Sequence, residues 1–200
     1  MIILGVTGSI GMGKSTAGKL LERMGCPVHC SDVSVRNALK PYGKAFEKVA
    51  LTFPESWDKK TRLLKKDVLS DIVFSNSEKK RKLENILHPI AQEEQSEFIF
   101  HQKKMGRDFC ALDIPLLFET GADKRVDYTI VVTAPFFIQA QRVLNRKGMT
   151  EEKFHRILNT QMPDIEKRAH ADFVVQTGLG KAYTHRALKT ILNTLRSAEK

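Results

Sequence analysis

Nine residues near the N-terminus, Gly8-Ser9-Ile10-Gly11-Met12-Gly13-Lys14-Ser15-Thr16, carry the strongest chemical signal in the chain. They fit G-x-x-x-x-G-K-[ST], with Gly8, Gly13, Lys14 and Ser15 in the fixed places. Glycines let backbone N–H groups turn towards an anion without Cβ clashes. Those amides, with the positive end of a following helix, make a cradle for phosphate. Lys14 is then placed to reach the β- and γ-phosphates of a nucleoside triphosphate, and the Ser15 hydroxyl to fill one position on Mg²⁺. Two carboxylates end short apolar runs: Asp32 follows Pro27-Val28-His29-Cys30, and Asp113 follows Phe109-Cys110-Ala111-Leu112. Asp32 can take the proton of an attacking hydroxyl or help to hold Mg²⁺. It would also cap a helix well, and the two uses are compatible because capping needs one oxygen. Asp113 suits Mg²⁺, directly or through water, although strands also end in Asp for reasons of turn geometry. Arg142 and Arg146 share one helical face and could neutralise charge on a transferring phosphoryl group; singly, each reads as an ordinary surface arginine.

These residues need elements to position them. Ile2-Ile3-Leu4-Gly5-Val6-Thr7 is short, apolar and β-branched, a buried strand leading into the glycine loop. Ala17, Leu20, Leu21 and Met24 then recur at helical spacing. Further strands are expected at 27–30, 109–113, 128–132 and 171–175, with helices between them. Pro135 suits the first turn of one helix, and Thr150 the N-cap of the next. In an open parallel sheet, ligands sit outside the carboxyl ends of the strands, which is where the loop, Asp32 and Asp113 fall. Residues 33–105 read as almost wholly helical, too long for one crossover, and are expected to form an inserted substrate lobe. Within it, Pro89 predicts a break at Leu87–His88, with the proline opening the next helix. Trp57, Phe46, Phe53, Phe74, Phe98 and Phe100 read as core. Ile114 to Glu119 follows Asp113 too closely for a separate strand and is expected to wall the substrate cleft.

The bulk composition bounds the function. With 200 residues, the chain suffices for one α/β domain with an insertion. No apolar run approaches the roughly 20 residues that span a membrane, and no leader pattern is visible. Cys26, Cys30 and Cys110 are an odd number without C-x-x-C, which suits a reducing cytoplasm rather than a disulfide framework or a zinc site. The net charge of +10 could serve nucleic acid or polyanionic small ligands. No aromatic residues interleave the basic clusters, and no nucleic-acid module is recognisable, so nucleic acid is not expected as a partner. A guanine-reading N-K-x-D is absent, which counts against a GTPase switch.

Taken in order, these residues resemble the dephospho-CoA kinase family of P-loop kinases. The resemblance runs through Thr7–Thr16, Ser31-Asp32, Leu83–Leu87 with His88-Pro89, and most distinctively Asp113-Ile114-Pro115-Leu116-Leu117-Phe118-Glu119. It continues through Arg142, Arg146, Arg156, Gln161 and Ala171-Asp172. Lys66 stands where the family usually has Arg, and Thr177 where it has Asn. The resemblance implies an α/β three-layer P-loop kinase sandwich, with a five-stranded parallel sheet, the inserted lobe and a helical lid over about 139–170. It implies phosphorylation of the ribose 3′-hydroxyl of dephospho-CoA by ATP with Mg²⁺. It assigns Lys14 and Asp32 to catalysis, Gly8 to Thr16 with Arg142 and Arg146 to ATP, and Ser15 and Asp113 to the metal. Asp32, Lys66, His88, Pro115, Leu116, Leu117 and Glu119 fall to the substrate. A cytoplasmic monomer is the accompanying expectation. A nucleoside-monophosphate or small-metabolite kinase on the same scaffold is the alternative within kinases.

Overall fold

A computed structural model describes residues 1–58, 60–74 and 76–198, with only the backbone at Phe74. In chain order the main elements are β1 (Ile2–Thr7), α1 (Lys14–Arg23), β2 (Val28–Cys30), α2 (Ser31–Ala38) and α3 (Phe46–Thr52). Then come β3 (Trp57–Asp58), β4 (Leu63–Leu64), α4 (Lys66–Phe74), α5 (Ser77–Lys104) and β5 (Phe109–Asp113). The chain finishes with β6 (Tyr128–Thr133), α6 (Phe136–Leu144), α7 (Glu151–Leu158), α8 (Asp164–His170), β7 (Phe173–Gln176) and α9 (Lys181–Ala198).

The chain divides into two compact units, one of residues 1–30 with 99–200 and one of residues 31–98. The first holds the sheet, five parallel strands in the order β2-β5-β1-β6-β7. Its central strands are buried along almost their whole length because helices cover them. Leu4, Val6, Ala111, Leu112, Ile130 and Val132 are all inaccessible to solvent. Leu20 and Leu21 of α1 and Leu188, Ile191, Leu192 and Leu195 of α9 pack into the same core, at the spacing of one helical face. The last strand starts at Phe173 rather than Ala171, because the Asp172 carboxylate takes the N–H and hydroxyl of Thr129, at 2.7 Å each. As expected, Thr150 caps α7, accepting the Lys153 N–H at 3.2 Å.

The second unit has its own core of Ala38, Ala45, Val49, Ala50, Phe53, Leu64 and Leu69. Three expectations for residues 33–105 fail. Pro89 does not end a helix: α5 runs unbroken from Ser77 to Lys104 with Pro89 inside it. A proline there forfeits the backbone bond to Asn85 and costs about 3 kcal/mol. Leu83, Ile86, Leu87 and Ile90 all pack on this core, and burying that stripe offsets the cost. Phe100 is not core; it is 69% exposed. Phe53 is buried, Phe46 and Trp57 pack on the cluster, and the Phe74 side chain lies outside the described residues. The stretch is also less helical than its pattern suggests, since β3 and β4 form a small antiparallel pair.

Candidate nucleotide site

β1 delivers the chain into the glycine loop, and the loop ends where α1 begins at Lys14. Gly8 (φ +150°) and Gly13 (φ +95°) both lie in the region that disfavours side chains. A Cβ on Gly8 would sit 2.4 Å from the Val132 carbonyl oxygen, and one on Gly13 2.8 Å from Thr177 Oγ1. Only glycine fits either position.

The loop's carbonyl groups are held by side chains. Ile10 O accepts from Gln139 Nε2 at 2.8 Å, Gly11 O from Arg142 at 3.3 Å, and Met12 O from Thr177 Oγ1 at 2.7 Å. A trans peptide points its N–H opposite to its C=O, and this chain has no cis bond among its described residues. The Gly11 N–H therefore points away from Gln139, and the Gly13 N–H away from Thr177. The N-cap Gly13 offers α1 no side-chain cap, and its first turn carries no acidic residue. Nothing in the helix's own sequence answers the positive end of its dipole. The result is a cradle of amides suited to an anion.

Around this loop the side chains have definite places. Lys14 Nζ donates to Gly8 O at 2.7 Å, and the Ser15 residue is exposed at the start of α1. Ser9 is buried, and the Met12 thioether accepts the Ala134 N–H at 3.1 Å. Thr16 follows in the first turn, its N–H bonded to Gly13 O. Asp113 is buried at the carboxyl end of β5, in register with Val6 of β1 and Cys30 of β2. The structure thus brings Asp113 to the strand end beside the one from which the loop springs. Arg142, on α6, donates to Thr177 Oγ1 and Thr177 O, both at 2.9 Å, as well as to Gly11 O. Arg146 is exposed and lies two residues past the end of α6 at Leu144, so the two arginines do not share a helical face as expected, and Arg156 pairs with Glu152 at 2.8 Å on the surface of α7.

The Pro115–Glu119 stretch forms a chain of turns, and only part of it is accessible to solvent. Leu117 is fully buried, its methyl groups 3.0 and 3.3 Å from where a Cβ on Gly5 would stand. Pro115 and Leu116 are half-buried. Pro115 O accepts from Thr7 Oγ1 at 3.1 Å and from Lys167 Nζ at 3.0 Å. Glu119 pairs with Lys167 at 2.8 Å.

The second unit carries the other candidates. Asp32 is the second residue of α2 and exposed, so it is a first-turn residue rather than the cap. There its charge complements the helix dipole. Ser31 beside it accepts from Gln95 Nε2 at 2.9 Å, a buried bond that ties α2 to α5. Lys66 opens α4 and His88 lies on α5, both exposed.

Sequence reasoning missed Gln139, Lys167 and the structural use of Thr177. Gln139 could have been suspected: it shares a helix face with Arg142 and Val143, an odd place for an amide on an apolar side. Thr177 replaces the longer Asn of the resembled pattern, yet its hydroxyl reaches both Met12 O and, at 3.3 Å, Thr133 O.

Comparison with known proteins adds a family to this fold. A family model described as Dephospho-CoA kinase matches residues 2–181. A dephospho-CoA kinase of Brucella melitensis is 45% identical over 177 residues, covering 88% of this chain and 86% of that protein. One of Agrobacterium fabrum is 43% identical over 195 residues, covering 98% of each. The solved dephospho-CoA kinase of Campylobacter jejuni superposes with a TM-score of 0.71 at 26% identity, over 99% of this chain and 98% of that one. By the length of these matches and the loop they include, the chain belongs to the dephospho-CoA kinase family.

Proposed function

We propose that Gly8 to Thr16 holds the triphosphate of ATP, and that Asp32 takes the proton of the attacking ribose hydroxyl. The chain is an ATP-dependent kinase by family, and the reaction is the phosphorylation of dephospho-CoA that completes coenzyme A synthesis. The 3′-hydroxyl oxygen forms a bond to the γ-phosphorus, the β–γ bridging bond breaks, ADP leaves and the proton passes to a carboxylate. The observation that carries the reading is the loop, whose carbonyls are engaged by side chains while its helix end carries no acid.

Each residue then has a task. Lys14 exchanges Gly8 O for phosphate oxygens and offsets their charge. Ser15 and Asp113 fit Mg²⁺, a hard cation that takes one or two protein oxygens and completes its shell with phosphate and water. Bound there, the ion would offset charge on the β- and γ-phosphates. Arg142, already on the loop, and the exposed Arg146 add positive charge from a lid over 139–170. Lys66, His88, Pro115 and Leu116 contact dephospho-CoA, with Leu117 supporting that wall from the core. Lys66 brings charge without the bidentate fork an arginine would offer. A monomer in the cytoplasm completes the proposal, and among the described residues no helix is long and apolar enough to cross a membrane.

Asp32→Asn tests the assignment of the base. ATP affinity should stay within about twofold, while turnover falls about 10²-fold or more. Turnover within a few-fold of wild type would remove Asp32 from that role.

A further inference from the structure

Gln161, Glu119 and Lys167 lie outside the loop, yet a path of hydrogen bonds, completed by the covalent link from Met162 to Gln161, runs through them. It leaves the chain at Thr7, the last residue before the glycine loop, whose hydroxyl donates to Pro115 O at 3.1 Å. Lys167 Nζ donates to the same carbonyl at 3.0 Å and to Glu119 Oε1 at 2.8 Å. Glu119 Oε1 also accepts the Met162 N–H at 2.8 Å. The neighbouring residue, Gln161, accepts the Ile10 N–H through Oε1 at 3.0 Å. The path therefore returns to the loop three residues after it left.

The energetic weight of this path comes from burial. Lys167 has no solvent-accessible side-chain surface, and the Glu119 side chain is 19% exposed. A lysine buried to that degree is expensive unless it is paired and hydrogen-bonded, and breaking such a pair costs far more than a surface bridge. Packing alone would be served as well by an apolar residue. What the ion pair adds here is direction: it fixes a carboxylate oxygen where the Met162 N–H must meet it. That holds the short segment between α7 and α8, and with it the Gln161 amide.

Residue Ile10 is the recipient. Its N–H is bound by Gln161 and its C=O by Gln139, so it is clamped from two sides. Fixing Ile10 fixes the peptide plane that follows, and with it the direction of the Gly11 N–H. An anion cradle whose amides are already aimed loses no binding energy to reorganisation.

We infer that Gln161, held by the Glu119–Lys167 pair through Met162, is a positioning residue that sets the phosphate loop for the triphosphate. Glu119 then acts on ATP binding rather than on dephospho-CoA. The inference rests on the reading that Gly8 to Thr16 binds ATP.

The test separates the two. Gln161→Met keeps the packing volume and removes the acceptor. It should weaken Mg-ATP binding, read by titration with a fluorescent ATP analogue, about three- to tenfold, the worth of one backbone hydrogen bond. The KM for dephospho-CoA should stay within about twofold and the melting temperature should hold. Two double variants avoid leaving a lone buried charge. Glu119→Gln/Lys167→Met retains an acceptor for the Met162 N–H without the lysine that aims it, and should lose less ATP affinity than the variant that lacks the acceptor as well. Glu119→Ala/Lys167→Met lacks that acceptor and should match Gln161→Met. Unchanged ATP affinity in Gln161→Met, equal losses for both substrates, or equal behaviour of the two double variants would overturn the inference. Lys14→Met is the control: if it leaves ATP affinity untouched, the reading of the loop has failed, not the positioning path alone.

Discussion

Adding one methyl group at Gly8 should do more damage than adding one at Gly106, although both glycines have positive φ. At Gly106 (φ +67°) nothing lies within 4 Å of a new Cβ, so Gly106→Ala carries only the backbone strain of an L-residue, about 1–2 kcal/mol. At Gly8 (φ +150°), also a backbone that L-residues rarely adopt, the strain is joined by contacts of 2.4 Å to Val132 O and 2.8 Å to Val132 Cγ2. Val132 cannot easily yield. It lies in β6, which pairs with β1 on one side and matches Val132 to Val175 of β7 on the other. Relieving such a clash in packed surroundings costs about 1–3 kcal/mol more. Urea denaturation of wild type and both variants reads the difference directly, with the slopes checked for a common two-state transition. The expected result is a Gly8→Ala loss at least about 1 kcal/mol greater than that of Gly106→Ala. Losses equal within about 0.5 kcal/mol would refute the argument that the loop's approach to β6 demands glycine.

Arg142→Lys should raise the KM for ATP and leave the KM for dephospho-CoA nearly unchanged. An ammonium cannot reproduce the fork onto Thr177 O, Thr177 Oγ1 and Gly11 O; a change confined to dephospho-CoA would contradict this placement. Burial pushes the Cys26 thiol up to about 12, with Cys110 adding to it, and pushes Cys110 up to about 11, with Asp127 adding to it. Both folded values exceed the ordinary thiol value of 9.0, so the fold favours the neutral form. Their contribution is intact below pH 9 and is lost as the pH rises from 9 towards 11–12. The urea midpoint should therefore fall between pH 9 and 10.5, and the fall should shrink in Cys26→Ala. A disulfide-exchange reagent should label the half-buried Cys30 first, and the two buried cysteines only after denaturation.

The parts of the fold governed by local rules were legible in the sequence. The glycine loop was plain because anion cradling and tight turning select the same residue type at fixed spacing. The five strands were plain because each is a short apolar run bounded by polar residues, and only their ends shifted, as where Asp172 was drawn off to cap Thr129. Tertiary effects were not legible. Pro89 is a breaker by local rule, yet one apolar stripe on α5 outweighs it. Phe100 looks like core by type and lies in solvent. Lys167 looks like an ordinary surface residue by type and is fully buried, because its partner Glu119 stands 48 positions away in the sequence. Arg142 was read as a cation for phosphate; the structure adds its grip on the loop's own backbone, which no pattern of charges could have revealed.

As a member of its family, this chain moves a phosphoryl group from ATP to the 3′-hydroxyl of dephospho-CoA. ADP release with Mg-ATP, measured with dephospho-CoA, adenosine, AMP or no acceptor, tests it most directly, with the mass of the product checked for one added phosphoryl group. Turnover is expected with dephospho-CoA alone, with a product heavier by one phosphoryl group. Equal or faster turnover with AMP or adenosine, or ADP release indifferent to any acceptor, would contradict it.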